Sequence, residues 1–371
     1  MNFSRVDEAL QEAVRSRVFP GAVLRVSHRG DLVYEKAVGS RNLELPEAPV
    51  AAETVFDLAS LTKPLATTIA ILMLVRDRRL DLDERVARYL PHFGVFGKSG
   101  VTIRHLLNHS SGLAAHRPYF REASGLGRLN FIGSREARAW VYEQVQRERP
   151  EAAPGKQVIY SDLGFLALGQ LVENASAMSL DQFCYRRIFG PARLEALGYI
   201  DLTMVRAGRV EPVSDRIAAT SACAWRGQTL CGEVEDENAW LMAGVAGHAG
   251  LFGTAEDVDR LASVIEAAGR GQGDLLPREL VREMWTIDDT VPGSTRTLGW
   301  DTPAARNSAA GGRMSPHTVG HLGFTGTSLW LDLEQRVHIV LLSNRVHPSR
   351  DNNRIREWRP RIHDLVMEAL G

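Results

Sequence analysis

Ser60-Leu61-Thr62-Lys63-Pro64 heads an apolar stretch that runs on to Val75. On a helix, residues three apart share a face, so the Ser60 hydroxyl and the Lys63 amine can meet. Proline suits only the first turn, where its missing N–H breaks no bond, so Pro64 sets the helix start near Ser60. The Ser60 N–H is then unpaired, and the positive end of the helix faces the same spot. Serine is a poor nucleophile until a neighbouring base takes its proton. With 22 serines and four lysines in the chain, about a quarter of such a tetrad arises by chance. Taken alone, it reads equally well as a capping serine followed by a surface lysine.

Two further segments shift that balance. Tyr160-Ser161-Asp162 opens a second apolar helix after Pro154-Gly155. A tyrosine there can serve as acid or base beside cations. His321-Leu322-Gly323-Phe324-Thr325-Gly326-Thr327 opens a strand, and a strand glycine permits close backbone approach to a ligand. The Phe324 N–H can then pair with that of Ser60 as an oxyanion hole.

The rest of the chain bounds the answer. Its 371 residues are 44% hydrophobic and 24% charged, an ordinary globular composition. Net charge is −1, which argues against nucleic acid or an anionic membrane as partner. The longest apolar run, Ile69 to Val75, is far short of a membrane span. The charged, amphipathic start MNFSRVDEALQEAVRSR is unlike a secretory signal, so a cytoplasmic location is expected. Cys184, Cys223 and Cys231 form no C-x-x-C pair and read as reduced thiols. G-x-S-x-G and H-E-x-x-H are both missing. His105 and His109 lie four apart on an expected helix but lack a third ligand, so packing and capping are expected of them, and no metal.

Periodicity predicts helices over 3–17, 60–79, 102–109, 134–148, 161–175, 179–189 and 355–370. A hairpin is expected over 22–35, and strands over 321–332 and 337–343. Thr254 should cap a helix after the glycine-rich 244–253. Strands, a helical block and then strands again predict one sheet interrupted by an insertion. The expected division is 1–58 with 240–371 as the sheet domain, and 59–239 as a mainly helical one.

The three motifs, in this order and approximate spacing, resemble the serine β-lactamase and penicillin-binding-protein superfamily. The likeness is strongest to its class C β-lactamase, D,D-carboxypeptidase and esterase branch. Supporting stretches are Phe19-Pro20-Gly21-Ala22, the segment Leu106 to Leu113, and Gly250 to Asp257. The resemblance implies an α+β fold: an antiparallel sheet flanked by helices, a large all-helical insertion, and the site between them. It implies Ser60 as acyl-accepting nucleophile, and Lys63 with Tyr160 as the proton-transfer pair. The Ser60 and Phe324 N–H groups would form the oxyanion hole, and Asp162, His321, Gly323 and Thr325 would line the substrate. No metal or organic cofactor is implied.

Two positions depart from the common pattern. The second motif usually ends in asparagine, here Asp162. A carboxylate beside Lys63 would favour the ammonium and move the base role to Tyr160; alternatively Asp162 points away and caps its helix. The third motif often begins with lysine, here His321, which attracts a substrate carboxylate less strongly and argues against an efficient β-lactamase. Arg226, Glu233 and His248 flank a glycine-rich loop like that of muramyl-amide hydrolases, and are candidates for the substrate side. The expectation is a serine hydrolase for small esters, D-amino-acid peptides or muropeptide amides. The alternatives are an idle ligand-binding member of the fold and a weak β-lactamase. No feature specifies an oligomeric state.

Overall fold

The computed structural model describes residues 1–213 and 215–371. Helix α1 (Ser4–Arg15) buries Val6, Ala9, Leu10 and Ala13, an i, i+3, i+4, i+7 stripe. The hairpin β1 (Gly21–His28) and β2 (Asp31–Gly39) turns at Arg29-Gly30, both at positive φ. Strand β3 (Phe56–Asp57) leads directly into the tetrad.

The expected helix over 60–79 is present with a correction at each end. It opens as a tight 3₁₀ turn, Ala59–Leu61, widens into a π-type stretch, Lys63–Thr68, and becomes regular only in α2 (Ile69–Arg76). Pro64 has no N–H to give the Ser60 carbonyl four residues back, so a regular α ladder cannot form there. The run stops at Arg76, and Arg78 takes a positive φ. The 18 residues Ala59–Arg76 have a mean hydropathy of 1.3, yet 83% of them are buried inside the protein.

The helical block contains α3 (Ile103–Leu107), α4 (Arg135–Arg147) and α5 (Asp162–Ser176). Strand β4 (Gly198–Tyr199) and β5 (Leu251–Gly253) join β3 in a small sheet ordered β3-β5-β4. Thr254 caps α6 (Ala255–Gly269) through the Asp257 N–H.

The expected strand over 321–332 is two strands, β6 (Thr318–Leu322) and β7 (Ser328–Asp332). Gly326, at φ +110, turns the chain between them. His321 thus lies near the end of a strand, not at its opening. Strand β8 (Val337–Ser343) and helix α7 (Ile355–Leu370) complete the chain.

The main sheet is antiparallel in the order β2-β1-β8-β7-β6, with Val23 opposite Leu342 and Leu24 opposite Leu341. Alternation assigns its two faces. Leu24, Val26, Ile339 and Leu341 pack with α1 and α7, while Val23, Val340 and Leu342 pack into the larger core shared with α6 and the helical block. The chain is therefore α+β, with an antiparallel sheet and helices against it, as the resemblance implies.

Candidate active site

The tetrad is held from behind by β3. Asp57 accepts the Ala59 N–H (2.8 Å) and the Glu235 N–H (2.6 Å). Burial nevertheless lifts its carboxyl to about 7, with those two backbone bonds opposing the shift. Ala59 sits at φ +47, uncommon for a residue with a Cβ and characteristic of functional turns. This clamp sets the direction in which Ser60 leaves the strand.

Lys63 is fully buried. Its Nζ donates to Ser60 Oγ (3.0 Å) and the His248 carbonyl (3.3 Å), and pairs with Asp162 Oδ1 (2.8 Å). Three N–H bonds thus meet three acceptors, which is the arrangement of an ammonium. Burial disfavours that charge, but the Asp162 carboxylate and a hydrogen bond with Tyr160 outweigh it and raise the Lys63 pKa. Asp162 in turn is held below the usual carboxylate range by the Lys63 charge and by His116, against its burial.

The two alternatives for Asp162 are thereby separated. It faces Lys63, and the capping of α5 falls to Ser161, whose Oγ accepts the Gly164 N–H (3.1 Å) and donates to the Ala114 carbonyl (2.7 Å). The Tyr160 ring centroid lies 4.7 Å from Lys63 Nζ. His109 steadies this turn: its Nδ1 accepts the Ser161 N–H (3.0 Å) and its ring packs on Tyr160. His105 closes a capping box with Thr102 on α3. Both histidines do the packing and capping expected of them, and no group of potential metal ligands occurs among the described residues.

The β6–β7 turn comes to the tetrad from the other side. Thr325 Oγ1 donates to the Asp57 carbonyl (2.7 Å) and Thr327 Oγ1 to the Leu58 carbonyl (3.1 Å). Gly323 passes so close that a Cβ there would lie 2.7 Å from the Leu58 oxygen and 1.9 Å from Thr327 Oγ1. The close approach, expected toward a ligand, is instead to the Leu58 carbonyl beside Ser60. Neither the Ser60 nor the Phe324 N–H has a bond to another described residue. His321 is buried and held neutral, far below its ordinary pKa, by desolvation and by the charges of Lys63 and Arg296. Its Nδ1 lies 2.9 Å from the Leu322 carbonyl, which leaves Nε2 as a buried acceptor without a partner among the described residues.

These groups open on a cavity of about 570 Å³. Ser60, Tyr160, Asp162, His248, His321, Gly323 and Phe324 all line it. Three other candidates stand elsewhere. Thr325 is turned onto the Asp57 carbonyl behind the site. Arg226 is buried against the Val234 and Glu235 carbonyls and braces that loop. Glu233 accepts from Trp240 Nε1 (2.8 Å). Spacing alone did not reveal which way these side chains turn. His248 does reach the cavity, with Nε2 2.9 Å from Asp236 Oδ1.

Sequence reasoning missed Asp57, Asp236, His116, Arg296 and the arginines 345, 350, 356 and 359. Arg345 grips the Phe324 carbonyl through Nε (2.9 Å) and Nη2 (2.5 Å), fixing the peptide next to the proposed oxyanion donor. His116 Nδ1 stands 3.8 Å from Asp162 Oδ2, and that contact raises its pKa against partial burial. The Leu106 to Leu113 motif just before His116 was the one available signal.

Comparison with known proteins bears on the family and the fold. The family model described as Beta-lactamase matches residues 6–360. A putative D-alanyl-D-alanine carboxypeptidase of Escherichia coli (strain K12) is 32% identical over 356 residues, covering 89% of this chain and 79% of the relative. An N-acetylmuramyl-L-alanine amidase of Bacillus subtilis (strain 168) is 30% identical over 363 residues, covering 92% and 81%. Among solved structures, EstCE1, a hydrolase with promiscuous acyltransferase activity, superposes with a TM-score of 0.74 at 23% identity, covering 96% of this chain and 97% of that one.

Proposed function

This chain belongs to the Beta-lactamase family, and we propose that it hydrolyses an amide or ester through an acyl-enzyme on Ser60. One observation carries the reading: Lys63 is buried with Nζ 3.0 Å from Ser60 Oγ and 2.8 Å from Asp162 Oδ1. An amine held there beside a hydroxyl, with its charge favoured by Asp162, is placed to serve a reaction in which charge or a proton moves.

An ammonium has no lone pair and cannot take the serine proton. Lys63 therefore orients Ser60 Oγ and offsets negative charge, and Tyr160, acting as its phenolate, takes the proton and becomes the phenol. Oγ bonds to the substrate carbonyl carbon while the Ser60 and Phe324 N–H groups hold the oxyanion. The scissile C–N or C–O bond breaks, and the leaving group receives the proton from Tyr160. Water then adds to the acyl ester, Tyr160 accepts its proton, and Ser60 is released as the alcohol. His321 and Gly323 line the strand beside the substrate. Among substrate classes, peptide or muropeptide amides fit best: one relative is named for D-alanyl-D-alanine, another for the N-acetylmuramyl-L-alanine bond.

The test is intact-protein mass after brief exposure to p-nitrophenyl acetate and to benzylpenicillin, on wild type and Ser60→Ala. An acyl adduct on wild type that Ser60→Ala lacks supports the reading. D-alanyl-D-alanine peptides and muramyl-L-alanine peptides then separate carboxypeptidase from amidase. No adduct and no turnover of any of these would make the chain an idle ligand-binding member of the fold.

A further inference from the structure

The cavity wall carries five carboxylates, and each is already engaged. Asp162 pairs with Lys63, Asp236 with His248, and Asp301 with Arg296. Glu235 and Glu237 both pair with Arg350, and Glu235 also accepts from Ser221 Oγ (2.7 Å).

Three guanidinium groups on the same wall have no acid partner among the described residues: Arg345, Arg356 and Arg359. Among the described residues, the Arg345 guanidinium bonds the carbonyls of Phe324, Arg350 and Asn352 and no acid. The buried Arg359 guanidinium makes one side-chain bond among them, from Nη2 to the Thr327 carbonyl (3.3 Å), and its buried Nε has no partner among them. Arg356 stands one helical turn before Arg359 on α7, so the two share a face, and its side chain is exposed. Burial disfavours the charge on Arg345 and Arg359; Arg356 adds to this at Arg345, where Glu235 opposes it, and Arg345 adds to it at Arg359. Burying such charges without a counter-ion is costly, and an anion would repay that cost through charge-assisted bonds. The neutral His321 beside them supplies no charge of its own.

We propose that Arg356 and Arg359, backed by Arg345, form an anion subsite next to Phe324 that takes a carboxylate or phosphate group of the substrate. The subsite rests on the hydrolase reading but not on which bond is cut. It makes the preferred substrate an anionic one, and it moves the positive charge from the start of the third motif to the C-terminal helix.

The experiment has a turnover arm and a binding arm. In the first, kcat/KM is measured for two ester pairs: mono-p-nitrophenyl glutarate against its methyl ester, and 4-carboxyphenyl acetate against phenyl acetate. These place the carboxylate on the acyl side and the leaving-group side respectively. Wild type should favour the charged member of one pair by about tenfold or more, and Arg356→Ala should remove most of that ratio. Arg356→Lys, which keeps charge but not the planar fork, should restore part of it. In the binding arm, glutarate and inorganic phosphate are titrated onto Ser60→Ala with and without Arg356→Ala. Binding should weaken about tenfold in the double variant, and the tighter anion identifies the group. Turnover that depends on Ser60 but ignores charge in both pairs overturns the subsite and leaves the hydrolase reading standing. Anion binding without turnover does the reverse. Binding unaffected by Arg356→Ala, with charge discrimination also unchanged, sinks the subsite outright.

Discussion

Asp162 differs from the asparagine common at its position, and the difference changes the charge state of its neighbour. Burial alone lowers the Lys63 pKa, and the Asp162 carboxylate outweighs it and favours the charged form. Asp162→Asn removes that charge while keeping a side chain of the same size. Lys63 should then lose its proton at lower pH, and the alkaline fall in ester kcat/KM should move to lower pH with it. A pH–rate profile reads this directly, and superimposable alkaline limbs in wild type and Asp162→Asn would count against the pairing. At this scale the sequence was legible where spacing dictates contact. Ser60 and Lys63 meet because i, i+3 residues on a helical turn must. It misled where orientation decides: Thr325 and Arg226 spend their hydrogen bonds on backbone carbonyls. Arg356 and Arg359 left no signal, because arginines on an amphipathic helix look like a solvated face until the cavity beside them is seen.

The pairing of α6 with β8 turns on a buried imidazole. His338 Nδ1 lies 3.1 Å from Asp259 Oδ1, and Nε2 lies 3.3 Å from Glu266 Oε2. Burial opposes its charge, but the two carboxylates prevail and raise its pKa above 6.5. Glu266 falls to about 2 despite its own burial. The signs follow from linkage. The His338 contribution is whole below pH 6.5 and fades as pH rises through its elevated folded value. That of Glu266 is whole above 4.5 and fades as pH falls through about 2. The network is therefore strongest between those limits. His338→Gln should cost about 3 kcal/mol near pH 5.5 and progressively less toward pH 9, measured by urea unfolding. Arg25 on Asp259, and Arg270 and Arg336 on Glu266, remain in the variant. Element boundaries followed from the sequence wherever caps or apolar stripes were strong, as in α1, α5 and α7 and at the start of α6. The π-type stretch after Ser60 was hidden because periodicity cannot distinguish a wide turn from a regular one.

Over the whole molecule, the main sheet is assembled from the two ends of the chain. Val23 pairs with Leu342 across more than 300 residues, and α1 meets α7, where Arg5 Nη1 lies 2.6 Å from Glu368 Oε2. Joining Gly371 to Met1 through a short Gly-Ser linker and opening the chain at Gly127-Arg128, beside the 91% exposed Leu129, should leave fold and site intact. Cooperative melting and Ser60-dependent labelling of the permutant check this, and a permutant that fails to melt cooperatively refutes it. The sequence by itself determined the order of elements and the meeting of Ser60 with Lys63, and its three motifs carried the resemblance that named the fold family. The first two depend on local spacing and periodicity, which short-range sterics and hydrogen bonding translate directly. Only the tertiary structure decided that Asp162 charges Lys63, that Thr325 latches the β6–β7 turn to β3, and that three arginines crowd one wall without an acid. Each of those brings together groups tens to hundreds of residues apart, and burial, which sets their energies, exists only once the chain has closed.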